Sequence, residues 1–397
     1  MLRLRVLLCG VWLASAVAHA GDVIDTQAEF DAWLSTKPVP LEALTPGARE
    51  RFILSVSFGP GGITAFDASD LMDELSDAQI REVLAPFGPR ALDNAPPSHY
   101  LETRRVEKNV RDRNVIGAIE QRYNQFYAQL RVVRDAPELE RTDHLARQFD
   151  SALAGFFEVK ALRRADDHEL RILRAAARRV AMATLLPRHV DAFKNVFRER
   201  VRRALVSSDD AATLYNLSLA LHRHSEARRL RLDYPLAQLP AVPAFADALA
   251  ADNALPTVWR LDADGKKLAR ETVDLSGTWI VVTAACGPSR EAAVAIAGDP
   301  LLGPAFEKHG RWITPAPGIE DVAAVRDWNR DFPRMPITMI YDRAEWRLLL
   351  DWRTTRFHLV RDGKEVESLD GWDGARLRAE LIALLEKHEL LNPEKRK

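Results

Sequence analysis

Cysteine is nearly absent. The 397 residues contain two, Cys9 and Cys286, which excludes a disulfide framework and a zinc site built from thiolates. A dominant charge is missing too. Fifty-six Lys and Arg stand against 57 Asp and Glu, a formal net charge of −1, so the balance gives no reason to expect nucleic acid as a partner. After the first twenty residues no apolar run reaches the roughly 18 residues of a membrane-spanning helix. With 19 Gly, 22 Pro and 47% hydrophobic residues, the composition is neither collagen-like nor that of a disordered chain. What remains is a globular protein long enough for two or three domains, each with its own core.

Met1 to Ala20 begins basic at Arg3 and Arg5, continues with an apolar run from Val6 to Val17, and ends Ala18-His19-Ala20 before Gly21. This three-part pattern predicts a cleavable signal over 1–20. The run is short for a stable bilayer span; an uncleaved interfacial anchor is the alternative. The expectation is an exported chain, periplasmic in a Gram-negative bacterium and otherwise secreted, with no stable membrane insertion after cleavage. Loss of Arg3, Arg5 and Cys9 would take the formal charge from −1 to −3 and leave Cys286 as the single thiol. In an oxidising compartment such a thiol invites explanation, because it cannot close a bridge within its own chain.

From 21 to 233 the pattern predicts an α-helical domain. Thr45-Pro46 reads as an N-cap and first-turn proline opening a helix. Ser76 with Gln79 fits a capping box ahead of Ile80, Val83, Leu84 and Phe87. Asp166 with Glu169 opens a helix whose Leu170, Leu173, Ala177, Val180 and Ala181 share a face, and Asp209-Asp210 starts another. Gly59-Pro60-Gly61-Gly62 reads as a loop; without a preceding strand or a Lys-Ser/Thr ending it is not a phosphate loop. Pro235, Pro240, Pro243 and Pro256 mark 234–256 as an inter-domain linker with a short helix near Phe245 to Leu249.

From Thr257 strands alternate with helices. Val258 to Leu261, a turn at Asp264-Gly265, and Lys267 to Val273 read as a hairpin. Strands are predicted at Trp279 to Thr283, Arg311 to Thr314 and Ile337 to Tyr341, with helices at Ser289 to Ala297 and Ile319 to Trp328. A second hairpin (Phe357 to Val360, Glu365 to Leu369) and a helix from Ala375 to His388 close the chain. The expected class is α+β and multidomain: an all-α helical domain over 21–233, then an α/β domain over 257–397 whose mixed sheet is covered on both faces.

Cys286-Gly287-Pro288-Ser289 follows a strand and opens a helix. A helix N-terminus stabilises anions and so favours the reactive thiolate. Pro288 suits a first turn, and Ser289 can turn its hydroxyl back to the sulfur. A buried, inert cysteine behind a strand fits the same spacing.

On these residues, 257–390 resembles a thioredoxin-like domain, closest to the exported thiol-disulfide and peroxiredoxin-related branch. The matching features are Cys286-Gly287-Pro288-Ser289 after Trp279-Ile280-Val281-Val282-Thr283, and an ending of Phe357-His358-Leu359-Val360-Arg361-Asp362-Gly363-Lys364-Glu365-Val366, Gly371 and a last helix. Several positions depart from the family. Ser289 stands where the resolving cysteine usually is, Ala285 replaces the aromatic residue before the reactive one, and Ile280 replaces the buried acid of thioredoxins proper. Counting back from Gly363, the cis-proline position falls at Thr354 or Thr355; Pro336 lies too far away to be it.

The resemblance therefore implies a monothiol and not dithiol cycling. Cys286 would carry the chemistry with Ser289 tuning the sulfur, while Gly287, Pro288, Thr354 and Thr355 flank the substrate. The partners would be protein clients or an external thiol, in disulfide exchange or client retention. No cofactor and no metal is implied. Two alternatives stay open: an inactive binding scaffold on the same fold, and a one-cysteine peroxidase using Thr283 and Arg353 or Arg356, although Trp279 occupies a proline position of that family.

Other signals are bland. The arginine-rich run from Lys160 to Arg203 reads as a helix face with packed stems; an acidic partner or anionic lipid is the sharper reading. His222 and His224, two apart on a helix, would point to different sides. Asp262-Ala263-Asp264-Gly265 lacks the later ligands of a calcium loop and reads as a turn. Trp312, Trp328, Trp346, Trp352 and Trp372 read as core, with one or two available to line a client groove.

Overall fold

A computed structural model describes residues 23–59, 62–101, 103, 107–110, 112–133, 136–249, 254–284, 286–314, 322–349, 351–352 and 355–391. The expected signal segment, Arg353 and Thr354 lie outside them. The chain divides into two compact units, one running to Lys108 and taking in Asp112–Ile116, the other made of Asn109–Arg111 and Gly117 onward. The division thus falls within the segment expected to form one helical domain.

The first unit contains α1 (Gln27–Ser35), α2 (Val39–Glu42), α3 (Pro46–Ser55), α4 (Ser69–Glu74), α5 (Asp77–Leu84) and α6 (Pro89–Asp93). Reciprocal capping boxes hold the starts of α1 (Thr26 with Glu29) and α5 (Ser76 with Gln79), each satisfying two backbone donors. Phe30, Phe52, Leu71, Ile80, Val83 and Phe87 form the buried core. Thr45 takes the N-cap position of α3 but does not cap it with its side chain. Buried Glu74 accepts both its N–H (2.9 Å) and its hydroxyl (3.0 Å) instead.

The all-α expectation needs one correction here. Ser57–Gly59 and Gly62–Ala65 are short antiparallel strands, β1 and β2, with Phe58 opposite Ile63. Gly62, the first residue of β2, has φ +95°, and a Cβ there would meet Asp25 Oδ1 at 2.7 Å, so only glycine fits without a shift.

The second unit begins with α7 (Ala118–Val132), α8 (Glu138–Leu153), α9 (Val159–Arg164), α10 (Asp167–Thr184), α11 (Pro187–Arg202), α12 (Ser208–Ala220) and α13 (His224–Asp233). Asp166 and Glu169 box the start of α10 as expected, while Ser207 with Asp210 does so for α12. Much of the arginine run is engaged by internal carboxylates. Arg203 reaches Asp167 (3.0 Å) and Glu199 (2.8 Å), Arg178 reaches Asp209 (2.8 Å), and Arg174 pairs with both Asp209 and Asp210.

The 234–256 segment is not a free linker, and its expected helix is a strand. Ala244–Ala246 (β3) pairs in parallel with β5 at the sheet edge, Tyr215 Oη donates to Pro240 O (3.0 Å), and Arg231 Nε donates to Leu239 O (3.2 Å). Prolines stop a helix but are compatible with an edge strand, whose outer N–H groups need no ladder partner.

The sheet then follows: β4 (Thr257–Leu261), β5 (Lys267–Thr272), β6 (Thr278–Thr283), β7 (Gly310–Thr314), β8 (Ile337–Ile340), β9 (Arg356–Arg361) and β10 (Lys364–Asp370). With β3 it forms a mixed eight-stranded sheet in the order β10-β9-β6-β7-β8-β4-β5-β3. Helices α14 (Gly287–Gly298), α15 (Leu302–His309), α16 (Val322–Asp331) and α17 (Ala375–Lys387) complete the unit. Phe306 of α15 and Trp328 of α16 pack on Trp312 of β7, at 6.0 and 5.2 Å between ring centroids. The opposite face presents Val258, Val281, Ile313, Ile340 and Val360, against which Leu275, Trp346, Leu349 and Trp352 pack. No described helix is long and apolar enough to cross a membrane.

Candidate functional site

Strand β6 lies between β9 and β7, and its run Ile280-Val281-Val282 is fully buried, as a strand covered on both faces requires. At its C-terminal end Ala284 N–H donates to Ile313 O (2.8 Å). Cys286 is the N-cap of α14, with extended dihedrals (φ −125°, ψ 172°), and Pro288 falls in the first turn. The Cys286 carbonyl accepts the N–H groups of Ser289 (3.1 Å) and Arg290 (3.3 Å). The sulfur therefore sits where the helix begins and its N–H groups are free of intrahelical partners.

Two hydroxyls meet it. Cys286 Sγ is 3.1 Å from Ser289 Oγ and 3.8 Å from Thr355 Oγ1, and the two oxygens are 2.7 Å apart. Ser289 and Thr355 are buried while Cys286 is half-buried. Gly287 and Pro288 are exposed beside it. Antiparallel register explains how Thr355 arrives from 69 residues away: β6 and β9 end with Thr283 opposite Arg356, so the residue before Arg356 lies next to the motif.

The remaining expected site residues are placed differently. Thr283 is buried and its hydroxyl donates to Arg356 O at 3.4 Å. The Arg356 guanidinium is engaged by Asp370 (2.6 Å), Ser368 Oγ (2.6 Å) and Asp351 (3.5 Å). Arg290, the cation nearest the motif in sequence, pairs with Asp331 and lies 5.5 Å over the Phe332 ring.

His222 and His224 depart from expectation. His222 lies in the turn between α12 and α13, with φ 56°, His224 opens α13, and their rings are neighbours at 6.1 Å. His222 stacks on Tyr341 (4.0 Å) and His224 on Phe245 (3.5 Å). A left-handed residue between the two helices breaks the spacing that would have sent the rings apart. Asp262 is a turn residue: Oδ1 accepts the N–H groups of Lys266 (2.8 Å) and Lys267 (3.1 Å). Among the described residues no three His, Cys, Asp or Glu side chains come together to hold a metal ion. Trp312, Trp328, Trp346 and Trp352 are buried.

No protein-family model, curated protein or solved structure matches this chain.

Proposed function

We propose that this is an exported thioredoxin-like protein whose single reactive thiol, Cys286, forms mixed disulfides with protein clients. The observation that carries this reading is the convergence on one sulfur of a helix N-terminus and a buried Ser289–Thr355 hydroxyl pair. Both features favour a thiolate over a thiol. A strand leading into the motif, and a terminal hairpin and helix, add support for the thioredoxin-like assignment.

The thiolate attacks one sulfur of a client disulfide. A bond forms between Cys286 Sγ and that sulfur as the client S–S bond breaks, and the displaced client sulfur leaves as a thiolate that takes a proton from water. Ser289 occupies the place of an internal resolver and has no sulfur to offer. Release therefore needs a second thiolate, from the client or from an external thiol, that attacks the client sulfur and returns Cys286 as thiolate. No net oxidation occurs when the client supplies that thiolate, which is isomerisation.

Peroxide reduction has less support, because the Arg356 guanidinium is already bound by two carboxylates and a serine. The scaffold reading is separated by one measurement. Alkylation of the signal-free protein, followed against pH, reports Cys286 alone. We expect a midpoint clearly below the roughly 8.5 of a free cysteine, with clients trapped by the wild-type chain and lost in Cys286→Ala. A raised midpoint, or labelling only on unfolding, would exclude exchange chemistry and leave the scaffold.

A further inference from the structure

The face of the sheet opposite Trp312 is covered only in part. Leu275, Trp346, Leu349 and Trp352 pack on Val258, Val281, Ile313, Ile340 and Val360. Toward the starts of the three parallel strands the cover stops. A cleft of about 530 Å³ opens there, lined by Val258, Arg260, Trp279, Arg311, Ile313 and Thr338 among others. Trp279, Arg311 and Thr338 are each the second residue of their strand, whereas Cys286 follows the far end of β6. The two sites therefore lie at opposite ends of the sheet.

The charges in the cleft are unequal. Arg260 is paired with Glu271 and Arg334 with Glu307. Asp274 accepts the Ser276 N–H at 2.8 Å within its own turn. Arg311 differs from these. Its guanidinium lies 3.7 Å over the Trp279 ring, and Nη1 donates to Gly310 O at 2.9 Å. It has no carboxylate within ion-pair distance among the described residues. Trp279 is itself fixed, its indole N–H donating to Ser276 O at 2.7 Å. Burial, and after it the Arg260 charge, pull Arg311 below the ordinary arginine value.

A half-buried cation without a counter-ion is costly in the unliganded protein. Here it is also pre-oriented by stacking, which conserves its planar fork of donors for a planar anion. The volume lies in the usual range of small-molecule sites, about 300–1,000 Å³. Val273 and Pro336, which line the cleft and keep accessible surface, offer an apolar wall over the buried Val258 and Ile313. One uncommitted cation, with Asp274 and Glu307 nearby, suits a monoanion better than a dianion.

We propose that this cleft binds a small organic monocarboxylate, its carboxylate on Arg311 and its apolar body along Val273 and Pro336. The site is independent of Cys286.

Calorimetric titration of the full chain with benzoate, benzamide and inorganic phosphate tests it. Benzoate is expected to bind one to one, with benzamide and phosphate each at least tenfold weaker. Arg311→Gln should weaken benzoate at least tenfold, Arg311→Lys several-fold, and Cys286→Ala should leave it unchanged. The unliganded Arg311→Gln protein should melt at or above the wild-type temperature, because an uncompensated cation has been removed. Equal binding of benzoate and benzamide, tighter binding of phosphate, or no benzoate binding at millimolar concentration would each overturn the proposal. A marked fall in melting temperature for Arg311→Gln, with benzoate affinity intact in Arg311→Lys, would make Arg311 structural and overturn it as well.

Discussion

The hydroxyl of Ser289 has two partners in a place with little water. It is fully buried, 3.1 Å from Cys286 Sγ and 2.7 Å from Thr355 Oγ1. Ser289→Ala removes a donor from the thiolate, and a hydrogen bond to a charged group contributes about 1.5–3 kcal/mol. Since one pKa unit corresponds to about 1.4 kcal/mol, the alkylation midpoint should rise by roughly one to two units. The same change leaves buried Thr355 Oγ1 without its serine, so stability in urea should fall by about 1–3 kcal/mol. The double variant Ser289→Ala with Thr355→Val should recover part of that stability while keeping the raised midpoint. If the midpoint stays put in Ser289→Ala, the serine is a packing residue and not a tuner of the sulfur. Of this pair the sequence showed only half on its own terms. Ser289 is readable from its three-residue spacing within a helical turn. Thr355 required either the family count back from Gly363 or the β6–β9 register, because nothing local relates it to Cys286.

At the scale of elements, periodicity was legible wherever one face of a strand or helix is buried. Strands β4 to β10 and helices α5, α10 and α17 follow their apolar patterns. β1, β2 and β3 did not announce themselves, because each is short and set among glycines or prolines, where local composition signals a loop. α15 is a similar case: Leu302 and Phe306 are four apart, but Gly303 and Pro304 between them mask the helix. The Arg311–Trp279 cleft was invisible for another reason. Its lining comes from alternate residues of separate strands, and only the sheet order brings them together.

The turn between α12 and α13 carries a pH dependence of its own. Burial, then the neighbouring His222 and Arg228, lower His224 to about 4. Burial lowers His222 too, with Arg270 in the same sense and Asp342 and Asp247 opposing. Both histidines thus hold a folded value below that of the unfolded chain. Their contribution is complete above about pH 6.5 and is lost as the pH falls from there; for His224 the loss runs on toward about 4, where the folded state begins to take the same proton. Wild-type urea midpoints should therefore drop between pH 7 and pH 5, above the range in which the ion-paired carboxylates titrate. His224→Phe keeps a ring on Phe245, and the buried His224 Nε2 has no partner to lose. That variant should lose a smaller part of its stability over the interval. An unchanged drop would rule out His224 as the source.

At the scale of the molecule, near-neutral charge hides a dense internal pairing that ties distant segments within each unit. The second unit is held across its length by such ties. Glu138, at the start of α8, accepts from Arg343 Nη1 and from Trp352 N–H, both at 2.9 Å. Asn109 and Asp167 exchange hydrogen bonds, with Asp167 N–H donating to Asn109 O at 2.9 Å and Asn109 N–H to Asp167 Oδ2 at 3.1 Å. His222 closes on Tyr341, and Tyr215 on Pro240. A sheet fragment cut at the expected linker, 257–397, forfeits these contacts together with β3, the strand that covers the β5 edge. Such an exposed edge is a template for association. Fragment 109–397 keeps them all. It should unfold in one cooperative transition and retain the alkylation midpoint of the whole chain, since Ser289, Thr355 and the start of α14 all belong to this unit. Fragment 257–397 should lose that transition, or aggregate, and label at the rate of a free thiol. Thermal melts with alkylation on the same samples decide the matter. If 257–397 melts as sharply as 109–397, with the same midpoint, the helices from α7 to α13 contribute nothing to the fold of the sheet, and the domain boundary belongs at 234–256 after all.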